Sequence, residues 1–223
     1  MKSIRNFLLL VFSGVALLGG SLLRAQVTEL PTTNVTYDYR WELYGSGAYS
    51  HFQAGLKLPA INTYGFDGEA ARYVRRRWAV VGSGRGYYGT TNVLPNPYKL
   101  TTQSVRDYMF LGGAQYRVER NPRLSLTLHA LAGGDYGIFN PNVDYPTGGR
   151  INPESVGLYK NQFGFAGAFG GSLDFGLTQR LSLRLAPEAT LTRFTGAFGA
   201  SSLDAHYAAT VGVVYKMHRG LRE

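Results

Sequence analysis

In three stretches between residues 162 and 217 the chain alternates, residue by residue, between two kinds of side chain. Phe163, Phe165, Gly167, Phe169, Gly171, Leu173, Phe175 and Leu177 share one parity, and Gln162, Gly164, Ala166, Ala168, Gly170, Ser172 and Asp174 share the other. Leu181, Leu183, Leu185, Pro187, Ala189 and Leu191 likewise oppose Ser182, Arg184, Glu188, Thr190 and Thr192. Tyr207, Ala209, Val211, Val213, Tyr215 and Met217 oppose His206, Ala208, Thr210, Gly212 and Lys216. A period of two is the pattern of a β-strand with two unlike faces, and it excludes a helix over these residues.

The same alternation, cut by turn residues, predicts eight strands. They are Trp41–Ser50, Asn62–Tyr73, Trp78–Gly89, Val105–Arg117, Leu124–Asp135, Asn161–Leu177, Leu181–Arg193 and Leu203–Met217. An eight-stranded barrel has an interior only wide enough for side chains to fill, so the small and polar face belongs inside. The large face then needs an apolar surrounding, which a lipid bilayer supplies. A soluble barrel around an apolar ligand is the alternative, and it requires Phe163, Phe165, Phe169 and Phe175 to point inward.

Connection lengths agree with the membrane reading. Val74–Arg77, Val118–Arg123 and Thr178–Arg180 are tight, whereas His51–Ile61, Thr90–Ser104, Tyr136–Lys160 and Phe194–Ser202 are longer. Short periplasmic turns and longer outer loops belong to transmembrane barrels. Tyr44, Tyr49, Trp78, Tyr87, Tyr88, Tyr108, Tyr116, Tyr207 and Tyr215 lie near strand ends, where an aromatic girdle is expected. Arg72 and Arg85 fall on the nominally outward face, at the interfaces, where a charge costs little.

Residues 1–25 have the three parts of a secretory signal peptide. Lys2 and Arg5 precede the apolar stretch Phe7–Gly20, and cleavage is expected after Ala25. Removing the segment takes away three cations and lowers the net charge from +9 to +6. The domain reading is signal peptide 1–25, periplasmic lead-in 26–40, barrel 41–217 and C-terminal tail 218–223. The Asn34-Val-Thr36 sequon in the lead-in is a chance match in a bacterial export context. The absence of cysteine excludes a disulfide scaffold and a thiol enzyme.

At this point the chain also resembles the small eight-stranded outer-membrane β-barrel family, the opacity-protein and OmpA-like group. The segments that carry the likeness are Trp41–Ser50, Val74–Gly82, Tyr108–Tyr116, Ala166–Phe175, Leu181–Leu185 and Val211–Met217. The resemblance implies an up-and-down barrel in the outer membrane and a monomer. It implies outer-membrane lipid and lipopolysaccharide as surroundings and the outer-membrane assembly machinery as a folding partner. Barrels of this group usually end on an aromatic residue, where this chain has Met217 followed by His218 to Glu223.

Inward positions carry a polar set: Asp67, Glu69, Asp107, Gln115, Arg117, His129, Asp174, Arg184, Glu188 and His206. Charges in a narrow interior must be paired, so the set reads as an internal plug, with a gated ion path as the alternative. The lipid-facing set is Phe163, Phe165, Phe169, Phe175, Leu183, Leu185, Tyr207, Val211, Val213 and Tyr215. Two histidines on different strands fall short of a metal ligand set, and no cofactor is expected. Gly84-Arg-Gly-Tyr-Tyr-Gly89 matches a dinucleotide fingerprint, but Pro95 and Pro97 forbid the helix that such a site needs.

Lipid A deacylases of this architecture carry His and Ser two residues apart. His51, His129 and His206 are followed at that spacing by Gln53, Leu131 and Ala208, so no enzyme is expected. Arg75-Arg76-Arg77, Arg120, Arg123, Arg180, Arg219 and Arg222 fall at tight turns or in the tail, beside anionic headgroups rather than on nucleic acid. The expected role is structural or adhesive contact at the cell surface through the outer loops. The longest of these, Tyr136–Lys160, looks free to bind something, with a solvated cap over the barrel mouth as the plainer reading. A narrow porin-like channel is the first alternative.

Overall fold

The computed structural model describes residues 39–55, 58–98, 100–120, 124–139, 151–195 and 201–219. The signal-peptide segment, most of the lead-in with its sequon, and residues 220–223 lie outside the described residues. Eight strands follow one another: β1 (Tyr39–Gln53), β2 (Ala60–Tyr73), β3 (Trp78–Asn92), β4 (Thr102–Arg120), β5 (Leu124–Ile138), β6 (Gln162–Gly176), β7 (Leu181–Thr195) and β8 (Ser201–Arg219). Each pairs with its sequence neighbour, and β1 pairs antiparallel with β8 to close the cylinder. Tyr39 sits opposite Arg219 in that seam, and His51 sits opposite Tyr207. Closure leaves no strand edge to template aggregation.

Most strands run further at the loop end than the sequence suggests. β3 continues from Gly89 to Asn92, β4 starts at Thr102 rather than Val105, and β8 starts at Ser201. Alternation fades there because the outward residues above an apolar band need not be apolar. The ladder of backbone hydrogen bonds needs no such pattern and continues. At the turn end, β1 begins at Tyr39 and β8 reaches Arg219, so the strand passes Met217.

Two girdles mark the height of the outward apolar belt. Trp78 pairs across the ladder with Tyr116 at the turn end, and Tyr88, Tyr108 and Tyr136 mark the loop end. Ten residues separate Trp78 from Tyr88, about 33 Å along a strand. At a tilt near 40° that rise is about 25 Å, the height of the apolar band of a transmembrane barrel. Between the girdles the outward side chains are apolar, with Phe163 70%, Phe169 64% and Phe110 65% exposed. A continuous belt of this kind exceeds what a monomer in water presents.

Glycine is abundant because strands of so narrow a cylinder approach closely. A Cβ built on Gly65 would stand 1.7 Å from the Gly86 carbonyl oxygen, and one on Gly212 would stand 2.1 Å from that of Gly45. Gly84, Gly86 and Gly89 of the dinucleotide-like motif lie within β3, with no helix after them.

Candidate functional site

Among the described residues the interior holds seven buried carboxylates (Glu42, Asp67, Glu69, Asp107, Asp135, Asp174 and Glu188) and four buried cations (Arg85, Arg117, Arg184 and Lys216). Strand parity puts them there: each lies on the small, polar face that the curvature turns inward.

Arg184 organises the turn-end half. Asp174 is its direct cross-strand partner on β6. The guanidinium holds that carboxylate with two bonds, Nε to Oδ1 at 2.7 Å and Nη2 to Oδ2 at 2.9 Å. It also donates across the lumen to Glu69 Oε1 at 3.2 Å and Glu42 Oε2 at 3.0 Å. The planar fork of arginine suits this multiple engagement better than a lysine ammonium would. Arg117 takes the other oxygen of Glu42 at 2.6 Å and lies 4.1 Å from the Tyr73 ring centre. Gln115 donates to the Tyr73 hydroxyl at 2.9 Å. Lys216 Nζ donates to Ser182 Oγ at 2.7 Å.

A second cluster sits above it. Arg85 pairs with Glu188 and stands 3.5 Å from Asp67. Ser83 Oγ accepts from Arg85 at 2.8 Å and donates to Asp67 at 3.0 Å. His129 Nε2 lies 3.1 Å from the other Glu188 oxygen. Each arginine and each carboxylate of these two clusters has an opposite charge in contact, which is the condition for burying it without a cost of several kcal/mol.

Asp107 and Asp135 are different. They lie one inward position out of register on β4 and β5, since Asp107 opposes Gly137 and Asp135 opposes Met109. Both are buried, and among the described residues neither oxygen of Asp135 has a hydrogen-bond partner. His206 is separate from both clusters, with Nε2 2.7 Å from Thr192 Oγ1.

At the loop end the interior turns aromatic. Phe52, Phe139, Phe194 and Tyr159 pack with Val93, Val105, Val156 and Leu158. Phe139 meets Phe194 edge-on at 5.4 Å and Tyr159 at 5.7 Å, the preferred geometry for aromatic pairs. A strap from the β5–β6 connection supplies Val156, Leu158 and Tyr159. It is shaped by a 3-10 turn (Pro153–Val156) that Asn152 caps, and by Gly157 at φ +85°. That left-handed angle favours glycine. Tyr159 N–H donates to the Ala54 carbonyl at 3.1 Å, and its hydroxyl donates to Asp204 at 2.5 Å. Burial and the Asp204 carboxylate push the Tyr159 phenol above its ordinary range, which keeps this donor protonated.

The structure brings Asp67, Glu69, Gln115, Arg117, His129, Asp174, Arg184 and Glu188 together in the interior, with Asp107 and His206 nearer the loop end. Phe163, Phe165, Phe169, Phe175, Leu183, Leu185, Val211, Val213 and Tyr215 point outward and are exposed; Tyr207 is outward but half-buried against His51. The four phenylalanine rings are therefore outside, and the soluble barrel with an apolar interior loses its binding surface.

Three sequence expectations are corrected. Arg85 is inside, 2% exposed, because β3 turns Ser83, Arg85 and Tyr87 toward the lumen. Tyr44 and Tyr87 are inside too, not in a girdle. The described part of the Tyr136–Lys160 connection enters the mouth, so it is more than a solvated cap. The inward polar set read from the sequence left out Glu42, Asp135 and Lys216, although Lys216 stood on the small, polar face of the last strand. Parity alone carried their signal, since each shares it with an inward neighbour: Tyr44, Gly133 and Val214 respectively.

These features define a class: eight-stranded, up-and-down β-barrels of the outer-membrane type, with a filled interior. No family model and no curated protein matches the chain in sequence. Among solved structures its fold is similar to neisserial surface protein A, with a TM-score of 0.54 and 11% identity over 79% of this chain and 97% of that one. Ail, the attachment invasion locus protein of Yersinia pestis, compares at a TM-score of 0.44 and 17% identity, over 81% and 99%. OprG from Pseudomonas aeruginosa stands at 0.46 and 14%, over 80% and 95%. At these identities the likeness is one of fold.

Proposed function

We propose that the chain is an outer-membrane barrel with a closed interior, acting as a structural or adhesive surface protein through its outer loops and without catalysis. In this reading the tight turns and both barrel-strand termini face the periplasm, and the loop end faces outward. One observation carries the choice of a closed barrel over a narrow channel: the interior is filled twice along its axis, by the paired charges around Arg184 and Arg85 and by the aromatic plug around Phe194. A conducting path would have to displace both.

Gel mobility and conductance test it. The refolded chain should run at two positions in SDS, compact when unboiled and extended when boiled, because a closed membrane barrel resists SDS until heated. In a planar bilayer it should give no stable single-channel steps. Steps in the native protein that vanish in Arg184→Ala would establish a conducting lumen instead. A single band at the extended position in both lanes would remove the membrane barrel itself.

A further inference from the structure

Loopward of the Arg85 cluster the interior holds oxygen atoms without partners. Asp107 on β4 and Asp135 on β5 are 2% and 0% exposed. Their carboxyl groups approach within hydrogen-bonding reach of each other. Ionised carboxylates only accept, so neither can satisfy the other. Among the described residues Asp107 Oδ1 and both oxygens of Asp135 have no hydrogen-bond partner.

A third group joins them. Tyr87, 2% exposed, is the direct cross-strand partner of Asp107 on the inward face of β3. Its hydroxyl lies within range of the Asp107 charge and has no hydrogen-bond partner among the described residues. The buried side-chain cations are committed elsewhere. Arg85 holds Glu188 and Asp67, while Arg117 and Arg184 hold Glu42, Glu69 and Asp174. Lys216 donates to Ser182 in the turn-end half.

Two like charges this close in a dry interior cannot both stay ionised unless a cation joins them. A proton shared between the carboxyls would serve one oxygen of each. The second oxygen of Asp135 and the Tyr87 hydroxyl would still be orphaned, and buried polar groups are rarely left so. A metal ion engages several oxygens at once.

We propose that Asp107, Asp135 and Tyr87 hold a hard divalent cation inside the barrel, between the Arg85 pairing and the aromatic plug. The inference goes beyond the closed-barrel reading and rests on it. The donor set is oxygen alone, with two anionic groups to balance a divalent charge. Calcium suits it best, because it accepts irregular oxygen sets completed by water, whereas magnesium demands a near-octahedral one.

Calcium itself is the probe. The full chain is refolded in neutral detergent, with calcium or with a chelator, and unfolded in urea; equilibrium dialysis against radioactive calcium reads binding directly. The native chain should bind calcium and unfold at higher urea in its presence, since a ligand of the folded state alone raises stability. Asp107→Asn and Asp135→Asn should each weaken binding by at least about tenfold, because half of the anionic charge is lost. Both variants should lose the calcium-dependent shift.

A native chain that runs compact on an unboiled gel yet shows neither binding nor shift overturns the proposal, and leaves the pair sharing a proton. Equal binding and an equal shift in the native chain and both variants also overturn it, as the mark of adventitious surface sites. A chain without a compact band in calcium or in chelator removes the closed barrel beneath the site instead. The native comparison of calcium with chelator needs no substitution, so a variant that misfolds leaves that arm to decide.

Discussion

The two halves of the interior are sealed by opposite chemistries. Toward the turns, Arg184 and Arg117 tie Glu42, Glu69 and Asp174 together by hydrogen-bonded charge. Toward the loops, Phe52, Phe139, Phe194 and Tyr159 fill the same bore with rings. The ionic half is made wholly of strand residues whose register is fixed by the ladder, so narrow tolerances of distance and angle are available to it. The aromatic half borrows three side chains from a strap outside the ladder. Dispersion and apolar burial tolerate that looser placement, whereas a charge pair does not. The difference teaches where a barrel can use charge: only where the backbone already dictates geometry.

The largest expected effect breaks the ionic half. Arg184→Ala leaves three carboxylates without their shared partner and should cost roughly 3–5 kcal/mol in urea unfolding of the refolded barrel. A loss under about 1 kcal/mol would mean that water serves those carboxylates as well as Arg184 does. Phe194→Ala opens a hole in the aromatic half and should cost about 3 kcal/mol, at the low end for such truncations because the mouth can relax. If it costs more than Arg184→Ala, the order of the two halves is reversed.

Phe169→Arg serves as an outward control, with an expected loss of about 2–4 kcal/mol in lipid and little change in secondary structure. Tolerance of arginine there would detach both halves from a bilayer setting. Tyr159→Phe removes the strap's bond to Asp204 and should cost about 1 kcal/mol, read as faster proteolysis of the strap with the barrel intact. The smallest effect has the opposite sign. Asp135→Asn removes one of two neighbouring carboxylates that lack a cation, and should raise stability by about 1 kcal/mol. A destabilised variant would show that the negative charge is needed there.

The sequence made the barrel legible wherever two neighbours on one parity were unlike their neighbours on the other. β6, β7 and β8 meet that condition over much of their length, so Asp174, Arg184 and Glu188 could be read as inward from residue type and parity. Arg85 could not, because Gly84 and Gly86 flank it and a glycine marks neither face. Tyr44 and Tyr87 were misread since their residue type suits a girdle while their parity puts them inside. The plug was illegible for a different reason. Val156, Leu158 and Tyr159 are recognised as core only by Phe52, Phe139 and Phe194, which lie on other elements. No local pattern encodes a contact of that kind.

The ionic network also bears on the order in which the cylinder forms. Glu42 belongs to the first strand, Arg117 to the fourth and Arg184 to the seventh, and Glu42 and Arg184 are 142 positions apart. Such contacts reward the chain only after a long loop has closed. Until β1 meets β8, the carboxylates face an open, wet trough and keep their hydration. When the seam zips, the carboxylates become buried and the charges must find one another in the same step. Closure and charge pairing are then coupled, and Glu42, on the strand that completes the seam, is the residue that ties them.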